Sequence, residues 1–250
     1  MKPISLHTAD FRKFVWQPAY IWPQDGTLSQ RKQEPAGLLR SELPLFLSIT
    51  ALTIVLLQLV SYLTGQQVGW LLTRSHSNPL AIVITVCVLV PLVSETIFRS
   101  VLKITPGRLA NLVAFLLLLL LGNYYNDIKA IAHVYTGLWL FLLWVGLAHV
   151  VRQFLKRPRI FAQVELFWRV NFRGIFYALV VAYALFWADG ILSLTTTKGF
   201  GLIVLLAPGI LLGTYLGYIR IKYGFWAAVR AHILMMSLPM GFELIRFLYF

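Results

Sequence analysis

The chain has 250 residues, 59% of them hydrophobic, and a mean hydropathy of +0.76, which predicts an integral membrane protein rather than a soluble domain. The formal net charge of +13 would suit a nucleic-acid-binding protein. However, the basic residues fall between apolar runs, so we interpret them as a topology signal. A single cysteine, Cys87, excludes an intrachain disulfide and any multi-thiolate metal site. We therefore expect no nucleic-acid partner, no metal and no cofactor.

The first 44 residues are polar and contain no apolar core of a signal peptide, so we expect the first span to act as an uncleaved anchor. They carry four aromatic residues that would favour the membrane interface, namely Phe14, Trp16, Tyr20 and Trp22. We predict that residues 1–44 form a cytoplasmic interfacial segment and that residues 45–250 form one polytopic helical domain.

Seven apolar runs are long enough, or nearly so, to cross about 30 Å of hydrocarbon as helices. They lie near Leu45–Leu63, Leu80–Val101, Leu109–Tyr125, Ala130–Val151, Phe172–Leu192, Phe200–Ile219 and Phe225–Phe247. A cytoplasmic N-terminus puts seventeen of the 22 basic residues on the inner side and four on the outer side. We therefore predict an all-α bundle of about seven transmembrane helices in a bacterial inner (plasma) membrane. Further helices are expected only in residues 1–44 and in the loop 152–172, lying along the membrane surface.

An acidic residue, Glu95, lies inside the second predicted span. An intramembrane carboxylate costs several kcal/mol, which makes it a functional hypothesis by default. Arg99 follows at i+4, so the two side chains can touch on one helix face. Pro91 frees the carbonyl of Cys87 and predicts a kink nearby. Two roles stay open for the pair: a structural ion pair between helices, or part of a catalytic site.

A histidine, His232, lies in the last predicted span, ten residues after Lys222 and therefore about 15 Å from the inner surface. Glu95 reaches a similar depth if its helix continues to Lys103. We predict that Glu95 and His232 face a shared cavity in the bundle interior, with Arg99 within salt-bridge reach of Glu95. A carboxylate with an imidazole forms a workable acid–base pair for activating water, whereas a lone intramembrane histidine is otherwise a hydrogen-bonding strut between helices.

The sixth run carries glycines at four-residue intervals: Gly209, Gly213 and Gly217. Small residues at this spacing let a neighbouring helix approach closely. Pro208 precedes them and is expected to bend the span.

The stretch from Leu80 to Pro239 resembles the CPBP intramembrane family, which includes the CAAX prenyl endopeptidases and the Abi bacteriocin-processing or immunity proteins. The family pattern is Glu-Glu-x-x-x-Arg, then Phe-x-x-x-His, then His-x-x-x-Asn on successive helices. The segment Ser94-Glu-Thr-Ile-Phe-Arg99 resembles the first motif, with Ser94 replacing its first Glu. His232 matches the start of the third motif, with Met236 in the Asn position.

The second motif is the weakest match, with Tyr183 at its Phe position and Trp187 at its His position. The resemblance implies that acidic residues and histidines together activate the water that cleaves a peptide bond. Tryptophan donates one hydrogen bond but cannot accept a proton or bind a metal. Two other histidines, His133 and His149, are expected near opposite ends of the fourth span and would have to supply the missing imidazole.

These departures favour a catalytically inactive member of the family, in which Glu95, Arg99 and His232 remain as a framework. Such a protein would act as an adaptor, immunity-type or structural subunit, with membrane lipids and another integral membrane protein as partners. The indole of Trp187 is then expected to fill the space beside Glu95 and His232. The alternative is an active CAAX-type endopeptidase in which Glu95 and His232 activate water. A transporter has less support, because no repeated pair of broken helices is visible.

Overall fold

A computed structural model describes residues 4–18, 35–64, 83–122, 136–192 and 200–249. All regular structure within these ranges is helical, which confirms the predicted all-α class. An irregular helix, α3, covers residues 85–102 in four short segments. The other helices are α1 (Ile4–Trp16), α2 (Pro35–Thr64), α4 (Pro106–Gly122), α5 (Thr136–Leu155), α6 (Pro158–Val170), α7 (Phe172–Leu192), α8 (Phe200–Tyr223) and α9 (Phe225–Tyr249).

The chain divides into two compact units. The first contains Met1–Arg99 and Phe172–Phe250, and the second contains Ser100–Asn171. In the first unit, α8 packs against α7, α2, α9 and α1, and its side chains from Leu212 to Ile219 form the buried core. In the second unit, α5 packs against α4 and also contacts α6.

The N-terminal helix α1 packs on the first unit through aromatic side chains. The ring of Phe11 meets the edge of Tyr218 at 5.3 Å, and that of Phe14 meets Phe176 at 5.1 Å. The Tyr177 hydroxyl donates a hydrogen bond to the Val15 carbonyl. The segment 1–44 therefore contains a helix that packs on the first unit. Tyr20 and Trp22, which were predicted to lie at the membrane interface, are outside the described residues.

The helix α3 departs from regular α-helical hydrogen bonding on both sides of Pro91, in the region where the sequence predicts a kink. The segments Thr85–Leu89 and Glu95–Arg99 are π-helical, and they flank the α-helical segment Val90–Ser94. Pro91 has no N–H group with which to continue the regular ladder. The Val90 N–H instead bonds to the Thr85 carbonyl five residues back. Each π turn carries an extra residue, which changes the direction of the side chains that follow.

Within each of the seven predicted spans, the residues that the structure describes are helical. The helices α1 and α6 lie in residues 1–44 and 152–172, the two other regions where helices were expected. The outer end of the third run and the start of the fourth lie outside the described residues. Among the described residues, no single helix is long and apolar enough to cross a bilayer. The consecutive helices Pro158–Val170 and Phe172–Ala188 meet the length and composition requirements only together. The seven-span topology therefore stays a prediction.

Two of the three glycines in the predicted stripe, Gly209 and Gly213, permit a close approach of α8 to α7. A Cβ added at Gly209 would lie 2.9 Å from the Ala184 Cα, and one added at Gly213 would lie 3.0 Å from a ring carbon of Tyr183. The contact at Gly209 is with backbone, which cannot move aside by rotating a side chain. The two helices are therefore held at a separation that only glycine allows at this position.

We predict that Gly209→Ala destabilises the protein by about 1–3 kcal/mol, because the new methyl group overpacks against the backbone of α7. Gly146→Ala in α5 is the matched control, because no atom lies within 4 Å of its added Cβ. That change should stabilise α5 by up to about 1 kcal/mol through helix propensity. Thermal unfolding of the purified variants in detergent measures both effects. Equal stability of the two variants would contradict the close approach.

Candidate functional site

The carboxylate of Glu95 is fully buried in the last π-helical segment of α3. Its side chain has 0% exposure, and that of Arg99 has 3%. The Arg99 Nη1 donates to the Glu95 Oε1 at 2.5 Å, so the ion pair predicted from the i, i+4 spacing is present. A charge-assisted contact of this kind is among the stronger hydrogen bonds in proteins.

The imidazole of His232 reaches the same carboxylate oxygen from α9. Its Nδ1 lies 2.9 Å from the Glu95 Oε1, and the side chain is 1% exposed. Two residues that are 137 positions apart in sequence thus meet in the interior, as predicted. They are in direct contact, and the cavity described below is lined by other residues. Because an ionised carboxylate only accepts hydrogen bonds, the Nδ1 is the donor.

The second ring nitrogen of His232 is engaged by α7. The Tyr183 hydroxyl lies 3.3 Å from the His232 Nε2, and in the neutral ring this nitrogen accepts a hydrogen bond from the hydroxyl. The Arg99 guanidinium also lies over the Tyr183 ring, 4.2 Å from its centroid. Tyr183 therefore contacts both the cation and the imidazole. We call Glu95, Arg99, Tyr183 and His232 the buried polar cluster.

The backbone that carries this cluster is supported by a buried arginine of α8. The Arg220 Nε donates to the Arg99 carbonyl at 3.2 Å, and its guanidinium lies 5.1 Å from the centroid of the Phe225 ring. The carbonyl lies at the end of the π-helical segment, where the helix changes to the short 3-10 segment Ser100–Leu102. Arg220 therefore ties α8 to the segment that presents Glu95 and Arg99.

The expectation for Trp187 is wrong, because Tyr183 occupies the position beside His232. Trp187 is half-buried and lines a separate cavity of about 20 Å³, enough for about one water molecule. The other residues lining this cavity are Thr50, Thr53, Ile54, Leu57, Leu212, Met235, Met236 and Pro239. The cavity is apolar apart from two threonines, whose hydroxyls donate to carbonyls of their own helix.

The remaining motif positions do not add to the buried polar cluster. The Ser94 hydroxyl donates to the Pro91 carbonyl at 3.2 Å, and Met236 lines the cavity beside Trp187. His149 is exposed on α5, and its Nε2 lies 3.2 Å from the side-chain amide nitrogen of Gln153 on the same helix. His133 lies outside the described residues.

Sequence reasoning missed Tyr183 as a polar member of the cluster, because its motif position calls only for an aromatic ring. The available signal was the hydroxyl itself, which supplies a hydrogen-bonding group where the family pattern has Phe. A second signal was the glycine stripe, since Gly213 is where α8 makes room for the Tyr183 ring.

The cluster contains two buried polar atoms that form no hydrogen bond within the described part of the chain, the Glu95 Oε2 and the Arg99 Nη2. Across the described ranges, no group of three or more His, Cys, Asp or Glu side chains is arranged to hold a metal ion. The buried polar cluster thus brings the carboxylate of Glu95, the guanidinium of Arg99 and the imidazole of His232 together where solvent does not reach them.

Comparisons with protein-family models, with curated proteins and with solved structures give no match. The resemblance to the CPBP family thus rests on the motif residues alone.

We predict that Glu95→Gln costs about 3–5 kcal/mol of stability, because it leaves Arg99 as a buried charge without its partner. Glu165→Gln in α6 is the matched control: Glu165 also pairs with an arginine at i+4, but that pair is partly exposed. The control should cost less than about 1 kcal/mol. Thermal unfolding in detergent compares the two variants. An equal loss of stability in both would show that the buried ion pair contributes no more than the partly exposed one.

We also predict that Tyr183→Phe costs about 1–3 kcal/mol, because the buried His232 Nε2 loses its donor. Tyr62→Phe provides the control, since the Tyr62 side chain is 84% exposed. The difference in unfolding midpoint between these two variants isolates the hydroxyl contact. A Tyr183→Phe protein as stable as the control would mean that the Tyr183–His232 contact contributes nothing.

Proposed function

We propose that this chain is a CPBP-like integral membrane protein that is catalytically inactive and acts by binding another membrane protein as an adaptor or structural subunit. In this proposal the buried polar cluster fixes the packing of α3, α7 and α9, and hydrolyses nothing. The observation that carries the proposal is that both ring nitrogens of His232 are engaged by protein side chains, one by Glu95 and one by Tyr183.

Water activation needs a basic atom with a free lone pair beside the reacting water. The Glu95 Oε1 already faces the Arg99 Nη1 and the His232 Nδ1, and the His232 Nε2 faces the Tyr183 hydroxyl. Tyr183 would have to leave before His232 could take a proton from water at that nitrogen. A fixed set of contacts of this kind favours a role in helix packing over one in turnover.

Membrane insertion is supported by the apolar surface of the helices. Large apolar side chains point outward from α2, α3 and α5, with Val55 at 60% exposure and Val150 at 66%. Contiguous apolar surface is rare on soluble monomers and marks contacts with lipid or with other proteins. The charged side chains of the buried polar cluster point inward, as expected of charges in a helical membrane protein.

The alternative function is an active CAAX-type intramembrane endopeptidase that uses Glu95 and His232. One observation favours it: the Glu95 Oε2 is buried and forms no hydrogen bond within the described residues. This oxygen retains lone pairs with which to orient a reacting water. The same atom is also compatible with an inactive protein, because an ion pair on one oxygen leaves the second oxygen without a partner.

A peptidase assay separates the two functions. The purified full-length protein, reconstituted in liposomes, is incubated with prenylated and with unprenylated peptides, and cleavage is followed by mass spectrometry. We expect wild type and Glu95→Gln to be equally inactive on both peptides, because Glu95 and Tyr183 engage the two ring nitrogens of His232 and leave it unable to take a proton from water. Glu165→Gln serves as the matched charge control.

Cleavage by wild type that is lost in Glu95→Gln and kept in Glu165→Gln would establish the endopeptidase instead. A parallel alkaline carbonate extraction of the host membranes tests insertion independently of activity. Release of the chain into the soluble fraction would overturn the membrane assignment itself.

A further inference from the structure

The helix α6 exposes large apolar side chains along one side. Leu166, Phe167 and Val170 are 64%, 60% and 76% exposed, whereas Trp168 on the opposite side is buried. Positions i, i+1 and i+4 fall on the same face of a helix, so the three side chains form one outward stripe. An exposed apolar stripe of this kind indicates a surface that contacts lipid or another protein.

Basic side chains surround the beginning of the same helix. Lys156, Arg157 and Arg159 are all exposed, and Arg157 lies 5.6 Å from the ring centroid of Phe154, which is itself 54% exposed. The one acidic residue between positions 150 and 171 is Glu165, which pairs with Arg169 at 3.3 Å. The surface is therefore strongly positive at one end and apolar at the other.

We infer that α6 docks on the surface of an anionic phospholipid bilayer, an inference that rests on the membrane insertion proposed above. The docking face consists of Lys156, Arg157, Arg159, Leu166, Phe167 and Val170, and we call it the basic–apolar face. Leu166, Phe167 and Val170 enter the boundary between headgroups and acyl chains. The long arginine and lysine side chains extend their charges to the lipid phosphates.

Charge complementarity selects the lipid class. Anionic headgroups attract each nearby lysine or arginine, and this attraction falls off within a Debye length. A zwitterionic bilayer gives the apolar stripe the same hydrocarbon but offers the basic residues no net charge. The basic–apolar face should therefore enter an anionic bilayer and remain more exposed to water at a zwitterionic one.

The test places an environment-sensitive fluorophore on the full-length protein. Phe167→Cys is labelled with a nitrobenzoxadiazole dye in a Cys87→Ala background, because Cys87 is the chain's only native cysteine. The labelled protein is reconstituted into nanodiscs of phosphatidylcholine alone or of phosphatidylcholine mixed with phosphatidylglycerol. We expect the emission maximum to move to shorter wavelength when phosphatidylglycerol is present, and the shift to be lost at high salt.

Two charge-matched double variants complete the test. Arg157→Gln with Arg159→Gln should abolish the shift, whereas Arg12→Gln with Lys13→Gln should keep it, since the latter two exposed basic residues lie on α1. Identical emission in both lipids, or an unchanged shift in the Arg157/Arg159 variant, would overturn the inference. Water-like emission in both lipids would also overturn it, in favour of a face that stays in solvent and is available to a protein partner. Failure of the proposed function looks different, because the labelled chain would then not remain in the nanodisc fraction.

Discussion

The neutralisation of one buried carboxylate, Glu95, is the constraint on which the rest of the first unit depends. A fully buried charge is tolerated only if compensating groups reach it. Arg99 comes from the same helix at i+4, whereas His232 must come from α9, far along the chain. The position of α9 against α3 is therefore tied to a polar contact. Apolar packing alone permits several registers between two helices, but this contact selects one.

The close packing of α7 and α8 delivers the fourth member of the buried polar cluster. Gly209 and Gly213 let the α7 backbone approach, and the Tyr183 ring lies against Gly213 at the same level as His232. The Tyr183 hydroxyl then satisfies the His232 Nε2, and its ring face receives the Arg99 guanidinium. A close contact between two helices thus completes the hydrogen bonding of a buried histidine.

Under the proposed function, these contacts let a framework that resembles a protease motif serve in helix packing. Catalysis needs a base that is held in place but still available to water, whereas a packing strut needs every donor and acceptor occupied. His232 meets the second requirement through both ring nitrogens. The outward surfaces, including the basic–apolar face of α6, are then the parts of the chain free to meet lipid or a partner. In that proposal the interior holds the helices together, and the surface binds lipid or a partner protein.

Local patterns in the sequence determined the helical class, the distortion at Pro91, the Glu95–Arg99 pair and the glycine contact between helices, because each depends on spacing within one helix. The contact between Glu95 and His232 also agrees with what counting residues along the two helices predicts. Only the tertiary structure decided which aromatic residue of α7 meets His232. Tyr183 and Trp187 lie one turn apart on the same face, so an axial offset of about 6 Å between two helices exchanges them. That offset is set by packing at Ala184 and Gly209 and by the polar contact to Glu95, which no motif alignment contains.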